Sequence, residues 1–246
     1  MTASALPPFA LLQPGEAFPA YASVSEEFGP LAIGGDLSTR TLQAAYRQGI
    51  FPWYSTPPIL WWSPDPRMIL PVDAFRLHRS LRKTVARFRL QARCEIRIDT
   101  AFAQVLHHCA HVPRAGQDGT WIRPEMQAAY RRFHEAGHAH SVETWVDGEL
   151  TGGLYFIHIG QAVFGESMFA LRPDASKIAL AALVALCRKH GIEWIDCQQN
   201  TAHLASLGGR EIPRAQFLER LQQTRDLPSP AWTFHPADWQ YLLDTQ

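Results

Sequence analysis

The sequence is poor in cysteine, and its cysteines are not spaced as they are in disulfide frameworks or zinc sites. The 246-residue chain holds four of them and contains no C-x-x-C pair. This number is too small to stabilise a secreted protein of this size, so a reducing cytoplasm is the expected location. The N-terminal residues show neither the basic start nor the apolar run of a secretory signal. No apolar stretch approaches the roughly 18 residues of a membrane-spanning helix.

Motifs that mark several large enzyme classes are missing as well. The sequence contains no G-x-x-x-x-G-K-[ST], no G-x-G-x-x-G and no G-x-S-x-G. It therefore lacks the motifs of phosphate-loop nucleotide hydrolases, dinucleotide-binding folds and serine hydrolases. A net charge is also missing, because 23 Lys and Arg balance 23 Asp and Glu. On that total alone, nucleic acid is not the first partner to expect.

The N-terminal part is rich in proline and glycine and is predicted to form a small domain of residues 1–67. Within it, residues 1–35 are expected to be loops. Ser38 is a suitable N-cap for a helix that ends before Gly49. Five prolines in residues 51–67 exclude a long regular element there.

The remaining residues, 68–246, show apolar periodicity and are predicted to form a second, larger domain. Its predicted helices cover residues 77–88, 100–110, 124–136 and 214–223, with a further helix that starts at Asp174 or Ser176 and runs through His190. Its predicted strands cover residues 90–98, 140–146, 150–158, 162–168 and 193–198. Asp99 or Thr100 is the expected N-cap of the second helix. Helices before and after a run of strands predict an α+β fold.

Residues 134–138 read His-Glu-Ala-Gly-His and match the H-E-x-x-H pattern of zinc proteases. That pattern binds zinc only when one helix holds both histidines a turn apart. Gly137 lies where the helix should end, and the residues after it alternate like a strand. The two histidines are therefore expected on different elements, and the segment is interpreted as a helix C-cap rather than a metal site.

An aromatic cluster lies in the proline-rich segment, where five rings fall within residues 51–62. One interpretation is a loop whose rings pack into the core. The other is a platform on which an unpaired nucleobase stacks. Trp121, just before a predicted helix, is a further candidate ring. The pattern alone leaves both interpretations open.

Positive charge is concentrated in residues 76–97, which hold eight Arg and Lys and one Glu. The zero net charge therefore conceals an uneven distribution of positive and negative residues along the chain. A solvated helix face is the ordinary interpretation of such a run. The alternative is a surface for phosphates, since alternation places Arg93 and Arg97 on one face of the strand that comes after the helix. The candidates on the helix or just before it are Arg76, Arg79, Arg82, Lys83 and Arg87.

Residues 195–198, Ile-Asp-Cys-Gln, place Asp196 and Gln198 on one face of a predicted strand. A buried carboxylate that accepts from the Gln198 amide would fix which amide atom faces a site. A polar pair at a strand end is an equally good interpretation. Glu166 lies among apolar neighbours, where acids are rare unless paired or functional. Cys197 has no activating base nearby in sequence and is interpreted as part of the core.

Taken together, these segments resemble the bacterial leucyl/phenylalanyl-tRNA–protein transferases, in order over roughly residues 30–225. The segments that carry the resemblance are LAIGGDLS (31–38), AYRQGIFPW (45–53), LWWSPDPR (60–67), GTWI (119–122), GHAHS (137–141), FGESMF (164–169), ASK (175–177), IDCQ (195–198), ASLG (205–208) and EIPR (211–214).

The resemblance implies a small N-terminal α/β domain followed by a C-terminal domain with an N-acetyltransferase-like (GNAT) fold. It implies an enzyme that moves Leu or Phe, and weakly Met, from aminoacyl-tRNA to the N-terminal Lys or Arg of a protein, which marks that protein for degradation. No metal, organic cofactor or membrane partner is expected. The alternative is an acyl-CoA-dependent N-acetyltransferase. Such enzymes usually have a glycine-containing loop before the main helix, whereas residues 172–177 contain no glycine.

The resemblance also implies roles for individual residues. Asp196 and Gln198 are the expected catalytic pair, with Gln198 contacting the attacking amine and Asp196 orienting Gln198. Glu166 is grouped with these catalytic residues and is expected close to the rings that flank the terminal adenine. The residues expected around the terminal adenosine are Trp53, Trp121, Tyr46 and Tyr130. The residues expected around the transferred amino acid are Leu154, Val163, Leu183 and Ile195.

Overall fold

The computed structural model describes residues 9–19, 29–112 and 121–244. Within these ranges the chain forms two β-sheets, eight α-helices and one short 3-10 helix, a mixed α/β architecture. Gly119 and Thr120 of the matched segments lie outside the described residues, as does part of the segment 1–35. Among the helices of the described ranges, none is long and apolar enough to cross a membrane.

The first sheet is small and is built from residues before position 63. Its strands are β1 (Ala10–Leu12), β2 (Ala32–Gly34), β3 (Phe51–Pro52) and β4 (Leu60–Trp62), in the spatial order β1–β2–β4–β3. The first two strands show that the prediction of loops throughout residues 1–35 was wrong. Each is three residues long, too short to display alternation, and β1 pairs with a strand that is distant in sequence.

The helix predicted after Ser38 is confirmed as α1 (Thr39–Tyr46). The Ser38 side chain accepts a hydrogen bond from the Thr41 backbone N–H at 3.3 Å, which satisfies one of the donors that a helix start leaves open. Gly49 comes after the helix with φ of +71°. A Cβ atom at this glycine would lie 2.6 Å from a ring carbon of Phe217, so glycine also permits close packing against a later helix.

The second sheet has seven strands in the order β11–β5–β10–β9–β8–β7–β6, and only the β9–β10 pair is parallel. Five of these strands were predicted, whereas β5 and β11 were not. The strands are β5 (Arg67–Pro71), β6 (Cys94–Ile98), β7 (Ala139–Val146), β8 (Glu149–Ile159), β9 (Ala162–Ala170), β10 (Trp194–Gln198) and β11 (Arg210–Ile212).

Helices cover both faces of this sheet. The helices after α1 are α2 (Arg79–Phe88), α3 (Phe102–His111), α4 (Pro124–Glu135), α5 (Ala175–Lys189), α6 (Ala202–Ser206), α7 (Arg214–Thr224) and α8 (Gln240–Leu243), the last preceded by the 3-10 helix Pro236–Trp239. Side chains of β8 alternate between two hydrophobic cores, one on each face of the sheet. Tyr155 and Ile157 pack with α1, α3, α4, α7 and the small sheet, whereas Leu154 and Phe156 pack with α2, α5 and α8.

The start of α3 corrects one prediction. The residue at the N-cap position is Ala101 rather than Asp99 or Thr100. The capping acceptor comes instead from β7, where the buried Glu143 accepts from the Ala101 backbone N–H at 2.7 Å and from the Thr100 hydroxyl. A residue 42 positions away thus replaces a local cap, which local sequence patterns do not reveal.

The large sheet is irregular where its two parallel strands, β9 and β10, meet. They pair at two positions only, through Ile195 with Val163 and Asp196 with Phe164. Beyond them β9 continues beside β8, whereas β10 is bulged between Asp196 and Gln198. Gln198 itself has φ of +64°, in the left-handed region. The two strands separate here, and the gap leaves room for a cleft.

Candidate active site

A cavity of about 390 Å³ opens where β9 and β10 separate. Strand β9 contributes Glu166 to its wall, β10 contributes Gln198, and the segment just after β3 of the small sheet contributes Trp53. The cavity therefore lies between the two sheets and draws residues from both. A larger groove, of about 560 Å³, lies near the other ends of β5 and β10, and it contains none of the residues expected at the site.

The Glu166 carboxylate is hydrogen-bonded to the hydroxyls of two buried tyrosines, Tyr46 and Tyr130. The Tyr46 hydroxyl donates to Glu166 Oε1 at 2.8 Å and lies 2.7 Å from the Tyr130 hydroxyl. Glu166 Oε2 makes the longer contact, 3.4 Å to Tyr130. Burial, and to a lesser degree the nearby charge of Asp196, raises the pKa of Glu166 from 4.5 to about 7. Glu166 thus changes its charge near neutral pH.

The Gln198 side chain is oriented by Glu166. Its amide nitrogen donates to Glu166 Oε1 at 2.8 Å. Since an ionised carboxylate only accepts hydrogen bonds, this contact fixes the amide nitrogen toward Glu166 and leaves the amide oxygen as the acceptor that Gln198 can offer elsewhere. Gln198 also lines the cavity, where such an acceptor can meet an N–H group.

Asp196 occupies a different position from the one expected. One of the two interpretations left open by the strand alternation was that Asp196 accepts from the Gln198 side-chain amide, and the structure shows that this amide donates to Glu166 instead. Asp196 is fully buried, and its Oδ1 accepts from the backbone N–H of Gln198 at 2.9 Å. Both carboxylate oxygens also accept from Arg67, at 2.8 and 2.6 Å. The bulge breaks the alternation on which that interpretation depended.

The four aromatic residues expected around an adenosine fall into two groups. Trp53 and Trp121 line the cavity, and the Trp53 side chain is partly open to solvent, with 38% of the residue exposed. Tyr46 and Tyr130 are at most 1% exposed, and their hydroxyls lie beneath Glu166. Both rings are therefore buried and reach the site through their hydroxyls at Glu166, and their expected place around the adenosine stays a prediction.

The apolar wall of the cavity includes three of the four residues expected around an amino-acid side chain. Leu154, Leu183 and Ile195 line it, together with Met168 and Leu180. Val163 instead lies fully buried in the core behind this wall, packed in the same apolar cluster. It shapes the pocket from behind and does not form its surface.

The predicted basic residues lie on α2 or just before it, and α6 connects this segment to the cavity wall. Residue Thr201, at the start of α6, lines the cavity, and the other end of α6 contacts the segment that leads into α2. There the Arg76 backbone N–H donates to the Leu207 carbonyl at 2.8 Å, and His78 Nε2 lies 2.9 Å from the Ser206 carbonyl oxygen. The exposed cations are Arg76, Arg79, Arg82, Lys83 and Arg87, of which Arg82 also donates to a carbonyl of α8.

Arg93 and Arg97, which the phosphate-surface interpretation added to these cations, have acidic or aromatic partners. Arg93 forms an ion pair with Asp147 at 3.1 Å. The guanidinium of Arg97 lies 4.2 Å from the centre of the Trp145 ring and is hydrogen-bonded to Glu95. Both cations thus have acidic partners, although the Arg93 side chain remains 73% exposed at the surface.

The H-E-x-x-H segment has the geometry that its glycine predicted. Helix α4 ends at Glu135, so His134 lies on the helix and His138 lies beyond it, before β7. His134 Nδ1 is 2.8 Å from the Ala139 carbonyl oxygen. Over residues 9–19, 29–112 and 121–244, no group of three or more His, Cys, Asp or Glu side chains is arranged to hold a metal ion.

Two parts of the site were missed from the sequence. Arg67 comes after five prolines and looked like the end of a loop, yet it begins a strand whose five residues are all buried. A cation directly before the apolar run Met-Ile-Leu is a signal for a buried charge with an acidic partner. The wall formed by residues 199–204 was missed because α6 spans only five residues. Cys197 lines the cavity, and burial raises the pKa of its thiol, which leaves it a weak nucleophile.

Comparison with known families gives two matches in order along the chain. Residues 69–222 match the family model described as leucyl/phenylalanyl-tRNA protein transferase. Residues 35–65 match the model described as the N-terminal domain of the same family. Together the two matches include every residue that lines the cavity around Glu166.

Curated relatives agree with the family models. The proteins of Leptothrix cholodnii, Polaromonas sp. and Bordetella petrii, each named leucyl/phenylalanyl-tRNA–protein transferase, are 60%, 54% and 53% identical to this chain. These alignments cover 89%, 97% and 94% of this chain and 87%, 96% and 98% of the relatives. Among solved structures, that of L-PGS from Bacillus licheniformis matches with a TM-score of 0.38 and 11% identity, over 70% of this chain and 53% of that one. A likeness this weak does not test the predicted N-acetyltransferase-like fold.

Proposed function

This chain belongs to the leucyl/phenylalanyl-tRNA protein transferase family, and we propose that it moves Leu or Phe, and Met more weakly, from aminoacyl-tRNA to the N-terminal Lys or Arg of acceptor proteins. One observation carries the proposal: a single cavity joins two tryptophans, an apolar wall and the Gln198–Glu166 pair. Acceptors marked in this way enter the N-degron pathway, and the reaction belongs in the cytoplasm.

The reaction requires positioning more than activation, because an aminoacyl ester is already reactive. The acceptor's amine nitrogen attacks the ester carbonyl carbon, a peptide bond forms, and the bond to the ribose oxygen breaks. One proton passes in net from the amine to that oxygen. Holding the amine against the carbonyl supplies much of the acceleration in such a step. The scheme requires no metal or organic cofactor.

Gln198 and Glu166 are placed to hold an amine. The Gln198 amide oxygen accepts an N–H of the amine, because its amide nitrogen is bound to Glu166. An amide is a very weak base, so Gln198 aligns the nitrogen rather than deprotonating it. Glu166 Oε2, whose contact with Tyr130 is 3.4 Å long, is the second acceptor for N–H groups in the cavity. Asp196 supports this pair through the backbone of Gln198.

The donor end of the cavity suits an aminoacyl-adenosine. Trp53 and Trp121 provide flat faces for the terminal adenine, and the wall formed by Leu154, Leu183 and Ile195 receives an apolar side chain. Such a wall discriminates only weakly between Leu, Phe and Met, by roughly 1–3 kcal/mol per methylene. Tyr46 and Tyr130 contribute indirectly by holding Glu166.

Changing Trp53 to Ala is expected to raise KM for aminoacyl-tRNA about 10- to 100-fold, because stacking of one base contributes roughly 1–3 kcal/mol. The ring is partly exposed, so the fold should remain intact. Steady-state transfer kinetics measure the effect, and Trp53→Phe, which keeps a flat ring, is the matched control and should lose much less. Unchanged kinetics in the Ala variant would show that the ring only packs against Trp62.

The basic residues of α2 are expected to bind phosphates of the tRNA body. Changing Arg79, Arg82 and Lys83 together to Gln should lower the slope of log K against log salt by about 2–3, if each contacts one phosphate. Binding titrations at several salt concentrations measure this slope. Aminoacyl-adenosine, a donor without phosphates, is the control and should react equally well with both proteins. An unchanged slope would show that the tRNA binds elsewhere.

We further assign residues 1–67 to a small N-terminal domain and residues 68–246 to a GNAT-like domain. The change from the small sheet to the large one falls between Trp62 and Arg67, so the sheets support a boundary in this segment, just before the first residue of β5. The parallel pair β9–β10, which separates beside the cavity, supports the fold assignment. Both assignments follow the resemblance and the order of elements.

The rival activity is acetyl transfer from acetyl-CoA, which requires a helix start open to pyrophosphate. The start of α5 is occupied here. The Ala175 backbone N–H donates to the Arg172 carbonyl at 3.2 Å, and the Asp174 carboxylate, itself an anion, lies there bound to Lys177 at 2.9 Å. A Cβ on Gly152 would lie 2.5 Å from Ala175, so β8 packs directly against this turn. These contacts disfavour a pyrophosphate site.

A transfer assay tests the proposal. Labelled Leu-tRNA and labelled acetyl-CoA are supplied in parallel to a peptide that begins with Arg and to the same peptide with an acetylated N-terminus. We expect label from Leu-tRNA on the free peptide alone. Transfer from acetyl-CoA but not from Leu-tRNA would falsify the proposed function in favour of the rival.

A further inference from the structure

Arg67 is a buried cation at the meeting point of the two sheets. It is 1% exposed, and its Nε and Nη2 atoms bind both carboxylate oxygens of Asp196, which is 0% exposed. Such a bidentate contact fixes the rotation of the carboxylate as well as its position. Arg67 therefore leaves Asp196 little freedom to turn.

The aromatic surroundings of Arg67 connect the ion pair to the rest of the site. The guanidinium carbon lies 4.9 Å from the centre of the Phe51 ring and 4.5 Å from that of Phe217. Phe51 belongs to β3 in the small sheet and lines the cavity, as do the next residues, Pro52 and Trp53. The Arg67 side chain thus contacts both β3, the strand directly before Trp53, and the carboxylate of Asp196.

Stability alone gives little reason for this ion pair. A buried pair loses the hydration of both charges, and apolar residues of similar volume often replace such pairs without loss of stability. Within the described residues, the remaining nitrogen of Arg67, Nη1, is buried without a hydrogen-bond partner, which adds to the cost. Because the Arg67–Asp196 pair is costly to bury and lies next to the cavity, it is better explained by a role in positioning residues of the cavity wall than by stability.

Asp196 uses its fixed orientation to hold the backbone of Gln198. Its Oδ1 accepts from the Gln198 N–H at 2.9 Å, at the bulge where Gln198 has φ of +64°. Residues other than glycine rarely adopt this conformation unless something holds them in it. The backbone conformation in turn directs the Gln198 side chain to Glu166.

We propose that Arg67 is a positioning residue for aminoacyl transfer: it clamps Asp196, and Asp196 holds the left-handed backbone that aims Gln198 into the cavity. This inference rests on the proposed function. It assigns the influence of Asp196 on the reaction to a backbone contact rather than to its charge acting on the Gln198 amide. Arg67 itself touches no substrate.

The test separates positioning from charge balance. Arg67→Met alone leaves a buried, unpaired carboxylate and is expected to lower the melting temperature. The double variant Arg67→Met/Asp196→Asn removes both charges, retains an oxygen that can accept from Gln198, and is expected to melt near the wild-type temperature. Without the clamp, however, its kcat should stay about 20-fold or more below wild type, with KM for aminoacyl-adenosine within about 3-fold.

Each outcome has a distinct meaning. Recovery of melting temperature without recovery of kcat supports the clamp when Arg67→Lys, which keeps both charges, also has a reduced kcat; a wild-type kcat in Arg67→Lys assigns the loss to the Asp196 charge and overturns the proposal. Recovery of both shows that Arg67 only balances a charge and overturns the proposal, as does a loss confined to KM. If the double variant melts far below wild type, the Arg67→Lys variant provides the test, because it keeps both charges and should keep the melting temperature. A wild-type kcat in this variant overturns the clamp. A reduced kcat at unchanged KM supports it.

The chain also offers a matched control pair. Lys189, the last residue of α5, and Asp238, on the 3-10 helix, form an ion pair at 3.0 Å, and Asp238 is buried. The variant Lys189→Met/Asp238→Asn should keep wild-type kcat. If the wild-type protein transfers nothing from Leu-tRNA, the proposed function fails before the clamp is tested, so the two failures are distinguishable.

Discussion

Glu166→Gln is expected to reduce kcat/KM for transfer about 100-fold or more while the protein stays folded. The amide oxygen of the variant can still accept from Tyr46 and Gln198. Its NH2 group, however, replaces Glu166 Oε2, so a donor faces the amine where an acceptor stood. The variant also removes a buried charge, which burial disfavours in the wild-type protein, so its melting temperature should not fall.

The pH dependence identifies the cause of this loss. Burial raises the pKa of Glu166 to about 7, so the carboxyl is protonated below pH 7 and ionised above it. Because the ionised form is the acceptor, wild-type kcat/KM should rise with pH through about 7. The acceptor's α-amino group, with a pKa near 8, titrates with both enzymes. The difference between the two profiles therefore reports Glu166.

Two outcomes would contradict this assignment. A Gln variant with wild-type activity would show that no acceptor is needed at this position. A variant of low activity whose pH profile has the wild-type shape would show that Glu166 supports the structure of the cavity and does not titrate in the reaction. Glu166→Asp is the matched variant that retains the charge and shortens its reach.

Glu143→Ala is expected to lower the free energy of unfolding by about 3–5 kcal/mol. The Glu143 carboxylate is fully buried and accepts from the Ala101 N–H at 2.7 Å, the Ser141 hydroxyl at 2.8 Å and Trp145 Nε1 at 2.9 Å, in addition to the Thr100 hydroxyl. Alanine leaves all of these donors without their acceptor and the first turn of α3 without its cap.

Urea unfolding followed by circular dichroism measures this loss, provided that the slope of free energy against urea is unchanged. Glu149→Ala is the matched control, since Glu149 is exposed and pairs with Arg172 at the surface at 3.1 Å. It should change the free energy by less than about 1 kcal/mol. Equal losses in the two variants would show that Glu143 does not anchor α3.

The predictions that succeeded rest on local chemistry. Ser38 caps α1, Gly49 comes after it with positive φ, and Pro124 opens α4, because each of these residue types suits its position regardless of what packs nearby. The strands from 139 to 170 were found for the same reason, since alternation and short turns belong to the strands themselves. These roughly 30 residues form three consecutive strands that the local pattern predicts without knowledge of any distant contact.

The predictions that failed concern contacts between distant segments. The cap of α3 comes from Glu143, and the partner of the Gln198 amide is Glu166, 32 positions away. β5 escaped notice because all five of its residues are buried, which shows no alternation, and because prolines precede it. The chemistry expected at Gln198 required a carboxylate; the sequence pattern offered Asp196, and the fold supplies Glu166.

The left-handed backbone at Gln198 limits how this position can change during evolution. A side chain there strains the chain by about 1 kcal/mol relative to glycine, so a drift toward glycine would make the protein more stable. Glycine, however, has no amide to place beside Glu166. A search for stabilising substitutions that scores stability alone would therefore be drawn to the change that removes the Gln198–Glu166 contact, on which the proposed transfer reaction depends.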